Sequence, residues 1–475
     1  MAVGRALASR WSRVAIAWLP FADAASADLP LARLLRLSLF QVSVGMAMVL
    51  LNGTLNRVMI VELGLPAGLV ALMIALPLLF APMRALIGHR SDTHRSVLGW
   101  RRVPYIWFGT LMQFGGLAIM PFALLLMGRS DQFTLGAAAS ALAFLLTGAG
   151  LHMTQTAGLA LATDLADADK RPRAVAMLYV MLLAGMMIAA LVIGRILVDF
   201  SATRLVQVIQ GAAVLTFLLN LVALWKQEGR NASVIAKETI RLPFAEVWRD
   251  FTAKRETTRL LLAIGLGAAA FAMQDALLEP FGGEILGLTV GQTTRLTGLW
   301  ALGTLIGFTF AARSLGRGTD PLRIAGVGLV VGIAAFLLVI FSAPFASPEM
   351  LAIGATAIGL GVGLFSVGTL IAAMSLARGG TAGLAVGAWG AVQASSAGLA
   401  IALGGLIRDL VSRFAVTDGL GATLADRATG YGTVYIVEIL LLLTTLVVLG
   451  PLVGRGLHSG QNNAYGQFGL TKFPT

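Results

Sequence analysis

The amino-acid sequence predicts an all-α polytopic membrane protein with 12 transmembrane helices, arranged as two related halves of six. The first observation is composition: 57% of the 475 residues are hydrophobic and 12% are charged, against about 25% charged in soluble domains. The second is a set of twelve apolar runs, each long enough to cross the roughly 30 Å of bilayer hydrocarbon. The same composition, with a mean hydropathy of +0.85, excludes a soluble globular protein and a disordered chain.

The predicted elements begin with a polar arm, 1–36, which lacks the apolar run and cleavage site of a signal peptide and is expected to be cytoplasmic. A half of six spans, 37–225, precedes a polar connector, 226–259, and a second half, 260–454. An amphipathic stretch in the connector predicts a short helix at the membrane surface. The last segment, 455–475, is expected to be a cytoplasmic tail. The twelve spans are 37–61, 66–88, 104–127, 134–161, 174–198, 204–225, 260–285, 295–314, 322–343, 349–375, 384–407 and 433–454.

Basic residues predict the orientation of the chain. Of the 35 lysines and arginines, 27 fall in the arm, the connector, the tail and alternate loops between spans. Because cytoplasmic loops carry an excess of Lys and Arg, both termini and the connector are predicted to be cytoplasmic. The net charge of +12 has the same explanation, so no nucleic-acid partner is expected.

The two halves share an internal repeat. Asn52–Arg57 in the first span aligns with Gln274–Glu279 in the seventh, at a constant offset of 222 residues. Glu62-Leu-Gly-Leu65 then matches Glu284-Ile-Leu-Gly-Leu288, with one inserted residue. Repeats of this kind are typical of transporters built from two similar halves. Further matches are Arg90-Ser91 with Arg313-Ser314, and Gly194-Arg195 with Arg408-Asp409 near the outer ends of the fifth helices.

The loop after the second span carries a glycine, an acid and several arginines, and it resembles the cytoplasmic loop motif of the major facilitator superfamily. Asp92 is placed to cap and charge-pair near a helix end, and the arginines to anchor the cytoplasmic mouth. We expect Asp164, at the turn after the fourth span, to join this gate. A basic loop that only sets orientation is the alternative. The expected gate residues are Gly88, Arg90, Asp92, Arg95, Arg101, Arg102 and Asp164.

Longer segments resemble a narrower group, the PucC/LhaA branch of the same superfamily, which delivers bacteriochlorophyll in purple phototrophs. Phe40–Met48 and Thr154–Asp164 are examples, and the resemblance extends from about residue 20 to residue 455. The matching segments are 21–26, 40–48, 55–63, 91–110, 154–164, 274–283 and 390–394.

This resemblance implies a light-harvesting antenna assembly factor that binds bacteriochlorophyll transiently and delivers it to antenna polypeptides, or that shepherds those polypeptides. The implied partners are antenna polypeptides, membrane lipid and a bacteriochlorophyll synthase, and the implied location is the bacterial inner (intracytoplasmic) membrane. The alternative is a gradient-driven secondary transporter of a small solute, coupled to protons through Asp275 or Glu279. No enzyme, catalytic set or metal site is expected, since the chain has no cysteine and no phosphate-binding loop, histidine cluster or Ser/His/Asp set.

Ionisable groups inside membrane spans are costly, so each is expected to have a partner or a task. The repeat places Arg57 and Glu279 at equivalent depth on the first and seventh helices, which face each other in a fold of two halves. We expect the two to form a charge pair, or to share a network with Asp275, that closes one side of a central cavity. A static bridge that orients the halves is the alternative. The expected network comprises Asn52, Asn56, Arg57, Gln274, Asp275 and Glu279.

The bacteriochlorophyll that the resemblance implies needs an axial ligand for its Mg²⁺, and oxygen or imidazole nitrogen can serve. His152 is the one histidine inside a predicted span and is the first candidate, with Gln155 about one turn on. Gln393 and the asparagines of the first helix are alternatives. Hydrogen-bonded packing is the competing interpretation for a lone membrane histidine.

Glycines four residues apart recur in the second half. Such pairs favour close packing of helices, and they leave open a flat slot for a tetrapyrrole or an antenna helix. The pairs are Gly303/Gly307, Gly328/Gly332, Gly359/Gly363 and Gly383/Gly387.

Overall fold

The fold is a bundle of apolar helices. The computed structural model describes residues 29–79, 100, 102–167, 170–228, 253, 255–376, 382–416 and 426–454. Every regular element in these ranges is a helix. Eleven helices are long and apolar enough to cross a membrane, and a further helix, described over 13 residues, occupies the predicted second span. The predicted all-α polytopic membrane protein is therefore confirmed.

The described residues form six helices in each half of the chain. Those of the first half are α1 (Leu31–Glu62), α2 (Ala67–Leu79), α3 (Val103–Met127), α4 (Phe133–Leu165), α5 (Arg171–Ile196) and α6 (Ala202–Leu224). Those of the second half are α7 (Arg255–Glu284), α8 (Val290–Gly316), α9 (Pro321–Ser342), α10 (Pro348–Leu376), α11 (Ala382–Val416) and α12 (Arg427–Leu449).

The helix boundaries extend the predicted spans at several places. Helix α1 begins at Leu31, inside the predicted arm, and α7 begins at Arg255, inside the predicted connector. Helix α11 continues to Val416, beyond the predicted end at residue 407. The amphipathic connector helix, the tail and most of the arm lie outside the described residues.

The internal repeat has a direct structural counterpart in two turns. Gly64, between α1 and α2, and Gly287, between α7 and α8, both have φ = 65°. This left-handed backbone favours glycine because a Cβ would be strained there. The two turns therefore have the same geometry at the positions that the repeat aligns. The charge pattern predicts that their end of the bundle faces away from the cytoplasm, and we call it the outer face.

Glycine pairs in the second half bring helices into close contact. A Cβ added to Gly303 of α8 would lie 1.9 Å from the Thr356 carbonyl oxygen of α10, and one added to Gly359 would lie 2.0 Å from the Trp300 carbonyl oxygen. Gly328 of α9 meets the Gly361 carbonyl in the same way, at 2.6 Å. These strips serve helix packing. At Gly387 of α11, by contrast, no described atom lies within 4 Å of an added Cβ.

Within the described ranges, the two halves meet along three surfaces. Helix α2 packs on α11, α5 packs on α8, and the outer part of α1 packs on α7 and α8. The predicted polar network lies on the third surface.

Candidate functional site

Helices α1 and α7 both depart from regular α-helix where they face each other. Helix α1 contains π-helical segments at Val49–Thr54 and Val58–Glu62, and α7 contains a tighter 3₁₀ turn at Met273–Ala276. Pro280 lies in the first turn of the resumed helix, after this break. Proline is tolerated there because its missing N–H is not needed, whereas the Ala276 carbonyl, four residues earlier, loses its usual helical donor.

Arg57 forms its ion pair within its own helix. Its Nη1 lies 2.6 Å from Glu62 Oε1, and its Nη2 donates to the Leu288 carbonyl of the α7–α8 turn at 3.1 Å. Arg57 is 5% exposed. The expected direct pair between Arg57 and Glu279 is therefore wrong, since the guanidinium is held by Glu62 and by a backbone carbonyl.

Glu279 lies at the junction of α1, α7 and α8. The Thr297 hydroxyl of α8 donates to Glu279 Oε1. A Cβ added to Gly53 of α1 would lie 3.0 Å from the same carboxylate oxygen, so the absence of a side chain at residue 53 makes room for Glu279. Two helices from opposite halves thus approach one buried carboxyl group.

The remaining predicted network residues do come together. Asn56 Nδ2 donates to the Asp275 carbonyl at 3.2 Å and to the Asn52 carbonyl at 2.6 Å. Gln274 Nε2 donates to Asp275 Oδ1. The Asn56 bond crosses from α1 to the 3₁₀ turn of α7, so it joins the two halves through backbone at the break.

Glu438 of α12 is a buried acid that we did not predict as part of the site. It is 0% exposed, and its Oε1 accepts from the backbone N–H of Gln274 at 2.8 Å. The sequence did carry a signal, because Glu438 is a single acid in the apolar run of the twelfth span and such a group is a functional candidate by default.

A second charged cluster lies on the outer face and joins residues that the repeat had singled out. Arg408 Nη2 pairs with Glu284 Oε2, and Arg408 Nη1 lies 3.1 Å from Asp409 Oδ1. The Tyr431 hydroxyl donates to Glu284 at 3.0 Å, and the Arg408 guanidinium lies 4.6 Å from the centre of the Tyr431 ring. Asp409 also accepts hydrogen bonds from the first turn of α2, so this cluster also joins the halves.

Three candidate pigment ligands, His152, Gln155 and Gln393, lie on α4 and α11, whereas the asparagines of α1 belong to the polar network. His152 and Gln155 are 9% and 7% exposed on α4, and both have hydrogen-bond or electrostatic partners. Gln393 on α11 is partly exposed, and its Nε2 donates to Ser366 Oγ of α10 over a long 3.5 Å.

The described part of the predicted cytoplasmic gate consists of Arg102 and Asp164, whose side chains form an ion pair at 3.0 Å. Glu228, which follows α6, caps the start of α3 by accepting from the N–H groups of Arg102 at 3.1 Å and Val103 at 3.0 Å. The other predicted gate residues lie outside the described residues. They are Gly88, Arg90, Asp92, Arg95 and Arg101.

Comparison with known proteins identifies the family, because residues 54–457 match the family described as PUCC protein. The chain belongs to the PUCC protein family. It is 53% identical over 468 residues to the protein of Rhodobacter capsulatus named "Uncharacterized protein in puhA-bchM intergenic region", which covers 97% of this chain and 98% of that one. Protein PucC of Rhodovulum sulfidophilum is 54% identical over 412 residues, 85% and 90% of the two chains. A Rhodobacter capsulatus protein named "Bacteriochlorophyll synthase 44.5 kDa chain" is 28% identical over 434 residues, 89% and 96% of the two chains.

Solved structures show which fold this PUCC-family chain has. A bacterial homolog of the human lysosomal transporter Spinster, inward-facing and unoccupied, matches with a TM-score of 0.68 and 15% identity over 88% of this chain and 95% of that one. A peptide transporter POT in complex with alafosfalin matches with a TM-score of 0.65 and 16% identity over 94% and 99%. At these identities the likeness concerns the fold, and it confirms the predicted major facilitator architecture.

Proposed function

We propose that this PUCC-family protein is a light-harvesting antenna assembly factor. It binds bacteriochlorophyll and delivers it to antenna polypeptides, or accompanies those polypeptides, in the bacterial inner (intracytoplasmic) membrane with both termini cytoplasmic. The observation that carries the proposal is the family match over residues 54–457. A relative named PucC at 54% identity and a relative named as a bacteriochlorophyll synthase chain at 28% identity support it.

Helix α11 offers the best fit for the pigment. An axial ligand must reach Mg²⁺ through open space, and a hard cation accepts an amide oxygen. Gln393 is partly exposed, and no described atom lies within 4 Å of an added Cβ at Gly387 or Gly390 on the preceding turns. His152 and Gln155 are more deeply buried. Gln393 would therefore hold the pigment through its amide oxygen, beside two glycines where an added Cβ would meet no described atom.

The contact between Gln393 and Ser366 is compatible with this role. The hydrogen bond uses the amide nitrogen of Gln393 at 3.5 Å, so it orients the carboxamide and leaves the oxygen for another partner. Trp389, one turn earlier on α11, donates from Nε1 to Thr369 Oγ1 of α10 at 3.1 Å. Two side chains of α11 are thus held against α10, which supports a preorganised ligand position.

A gradient-driven secondary transporter of a small solute is the second candidate, and one observation favours it. The carboxyl groups of Asp275, Glu279 and Glu438 all lie on or against the outer part of α7, in a fold shared with solved transporters. Carboxyl groups inside a membrane are typical of proton pathways. This candidate predicts solute uptake that depends on Asp275 or Glu279 and not on Gln393.

The deciding experiment is purification of the tagged protein from its native membranes in mild detergent. We expect a bacteriochlorophyll absorption band and antenna polypeptides in the purified sample, and loss of antenna complexes with normal pigment synthesis after deletion of the gene. Absence of both pigment and antenna polypeptides from the purified protein, with antenna complexes intact in the deletion strain, would overturn the proposal.

The ligand assignment has its own variants. Gln393→Leu is expected to lower the pigment recovered per protein by at least about tenfold, since loss of a mere outer-shell partner of a metal ligand already costs 10–100-fold in affinity. Gln210→Leu is the matched control, because Gln210 is a partly buried glutamine of α6 that donates to the Ala118 carbonyl at 2.9 Å. Full pigment recovery with Gln393→Leu, together with loss of pigment with His152→Ala, would assign the ligand to His152 of α4 instead.

A further inference from the structure

The break in α7 is held by side chains from other helices. The backbone N–H of Gln274 donates to Glu438 of α12 at 2.8 Å. The backbone carbonyl of the next residue, Asp275, accepts from Asn56 of α1 at 3.2 Å. A 3₁₀ turn in the middle of a membrane helix needs such partners, because backbone groups left unpaired in hydrocarbon cost several kcal/mol. One partner belongs to the same half as α7 and the other to the opposite half.

Within the described part of the chain, the contact from the Gln274 N–H is the one hydrogen bond that Glu438 makes. Its Oε2 is buried without a hydrogen-bond partner among the described residues, and the whole residue is 0% exposed. Burying a carboxyl group in a membrane helix is costly. The hydrogen bond from the Gln274 N–H is thus the interaction that offsets part of this cost.

Helix α12 is also fixed to α7 beyond the break. The Phe281 ring of α7 packs edge-on against Tyr431 and Tyr435 of α12, with ring centres 5.6 and 5.5 Å away. Tyr435 in turn stacks on Phe336 of α9 at 6.2 Å. All four rings are buried, with at most 2% of each residue exposed. Because they are packed this tightly, α12 is a fixed support against which Glu438 can hold the turn.

Helix α11 approaches the same turn from a third side. A Cβ added to Gly404 of α11 would lie 3.0 Å from the Met273 carbonyl oxygen. The turn therefore has little room to shift away from α12.

We propose that Glu438 is a positioning residue that sets the geometry of the α7 break. By accepting from the Gln274 N–H, it keeps the Asp275 carbonyl within reach of Asn56 across the interface and holds the partly exposed Asp275 side chain between the halves. This role requires a hydrogen-bond acceptor as far from the backbone of α12 as a glutamate carboxyl group. It does not require a negative charge. The effect on antenna assembly rests on the proposed function, whereas the effect on the geometry of the break does not.

The direct test measures how accessible residue 275 is. The chain contains no cysteine, so Asp275→Cys provides a single thiol, and both hydrogen bonds to the break use backbone atoms that this substitution keeps. The rate of thiol labelling by a small uncharged maleimide is measured on the purified protein. Glu438→Leu and Glu438→Asp are expected to change the rate about five- to thirtyfold, the factor that corresponds to 1–2 kcal/mol. Glu438→Gln keeps the side-chain length and the acceptor oxygen, so the hydrogen bond from the Gln274 N–H is retained. The labelling rate of this variant is expected to stay within about twofold of the parent, because exchanging one acceptor for another changes the free energy little.

Thr445→Val is the matched control on the same helix. Thr445 is also 0% exposed, but its hydroxyl donates to Leu441 within α12 at 2.7 Å, so its loss should leave the labelling rate unchanged. If Glu438→Leu is not recovered as folded protein, the Asp and Gln variants decide, since both retain a polar group of similar size. A parental rate with Glu438→Asp, or a shifted rate with Glu438→Gln, would overturn the proposal.

A measurement in cells separates this proposal from the proposed function. In a deletion strain, Glu438→Gln should restore antenna absorbance and Glu438→Asp should restore less at equal protein level. If labelling follows the expected order while the deletion strain itself keeps its antenna absorbance, the positioning role stands and the antenna function is overturned.

Discussion

On the outer face the halves meet at two helix pairs that the internal repeat makes equivalent, α2 with α11 and α5 with α8, and their chemistry differs. At the first pair the Asp409 carboxylate of α11 accepts from the N–H groups of Ala67 at 3.1 Å and Gly68 at 2.7 Å. The start of α2 thus takes its cap from the other half, where a carboxylate also complements the helix dipole. Arg408 holds that carboxylate in place.

At the second pair the start of α8 is capped within its own segment. The Thr289 hydroxyl accepts from the Gln292 N–H at 3.3 Å, and the Gln292 side chain accepts from the Thr289 N–H at 2.9 Å. The contact with α5 is steric: a Cβ added to Gly291 would lie 2.3 Å from the Gly194 carbonyl oxygen.

This difference shows that one architectural contact can be closed in two ways. The α2–α11 contact depends on directional bonds to one side chain, so it can be weakened without any change of shape. The α5–α8 contact depends on the absence of side chains, so it is weakened by adding atoms. Substitutions at the two contacts should therefore differ in how much stability they remove and in which helix they destabilise.

The largest effect is expected for Arg408→Met, which leaves the carboxyl groups of Glu284 and Asp409 without their cation. Removing one partner of a buried ion pair costs about 3–5 kcal/mol, and the Arg408 and Glu284 side chains are both 12% exposed. The measurement is the free energy of unfolding in detergent. Arg204→Met is the control, because the Arg204–Asp199 pair is 45% and 84% exposed. Equal losses for the two variants would contradict the importance of the cluster.

Gly291→Ala should have the next largest effect, because the added methyl overlaps the Gly194 carbonyl and forces α5 and α8 apart. Overpacking of this kind costs about 1–3 kcal/mol. The control is Gly211→Ala on α6, where no described atom lies within 4 Å of an added Cβ and alanine should stabilise the helix by about 0.5–1 kcal/mol. The thermal midpoints of the two variants should therefore move in opposite directions, and a shared direction would show that the glycine contact is not tight.

Asp409→Ala should cost about 1–2 kcal/mol through loss of the cap on α2. Asp409→Asn should cost less, because an amide oxygen can still accept from the first turn of α2. Amide hydrogen exchange at Ala67 and Gly68 is the local measurement, and it should accelerate more in the Ala variant than in the Asn variant. If both variants accelerate exchange equally, the ion pair with Arg408 matters more than the cap.

The smallest effect is expected for Thr289→Ala, about 1 kcal/mol for an ordinary cap. Because Thr289 caps its own helix, exchange should accelerate in the first turn of α8 and stay unchanged in the first turn of α2. Acceleration at α2 would show that the two contacts are coupled and would remove the distinction drawn between them.

Much of the polar network was predictable, and its main error has a structural cause. The repeat aligned the segments of α1 and α7 that contain Asn56 and Asp275, and these two residues are hydrogen-bonded. It gave Arg57 the wrong partner, because Glu62 lies five residues later and is not a neighbour on an ordinary α-helix. The π-helical segment Val58–Glu62 has i→i+5 geometry, which brings Glu62 onto the side of Arg57. A sequence periodicity of 3.6 residues contains no sign of that segment.

Glycine pairs illustrate a second limit of the sequence. All four pairs have the same spacing of four residues in the sequence. In the structure, three of them lie at helix contacts of α8, α9 and α10. The residue that lies opposite each glycine decides its use, and that depends on how the helices are arranged.

By itself the sequence determined the fold class, the helices and the equivalence of the two halves, because these follow from apolar length, charge scarcity and local repeats. Gly64 and Gly287 show this, since they share a φ of 65° and are aligned by the Glu…Gly-Leu motif of the repeat. Only the tertiary structure decided which buried groups meet. Glu438 pairs with the Gln274 N–H, and Asp409 pairs with the start of α2. Both pairings join residues more than 150 positions apart in the sequence, so they depend on how far each helix is shifted along the membrane normal relative to its neighbour. Hydrocarbon requires every backbone polar group to find a partner, and it does not specify which one.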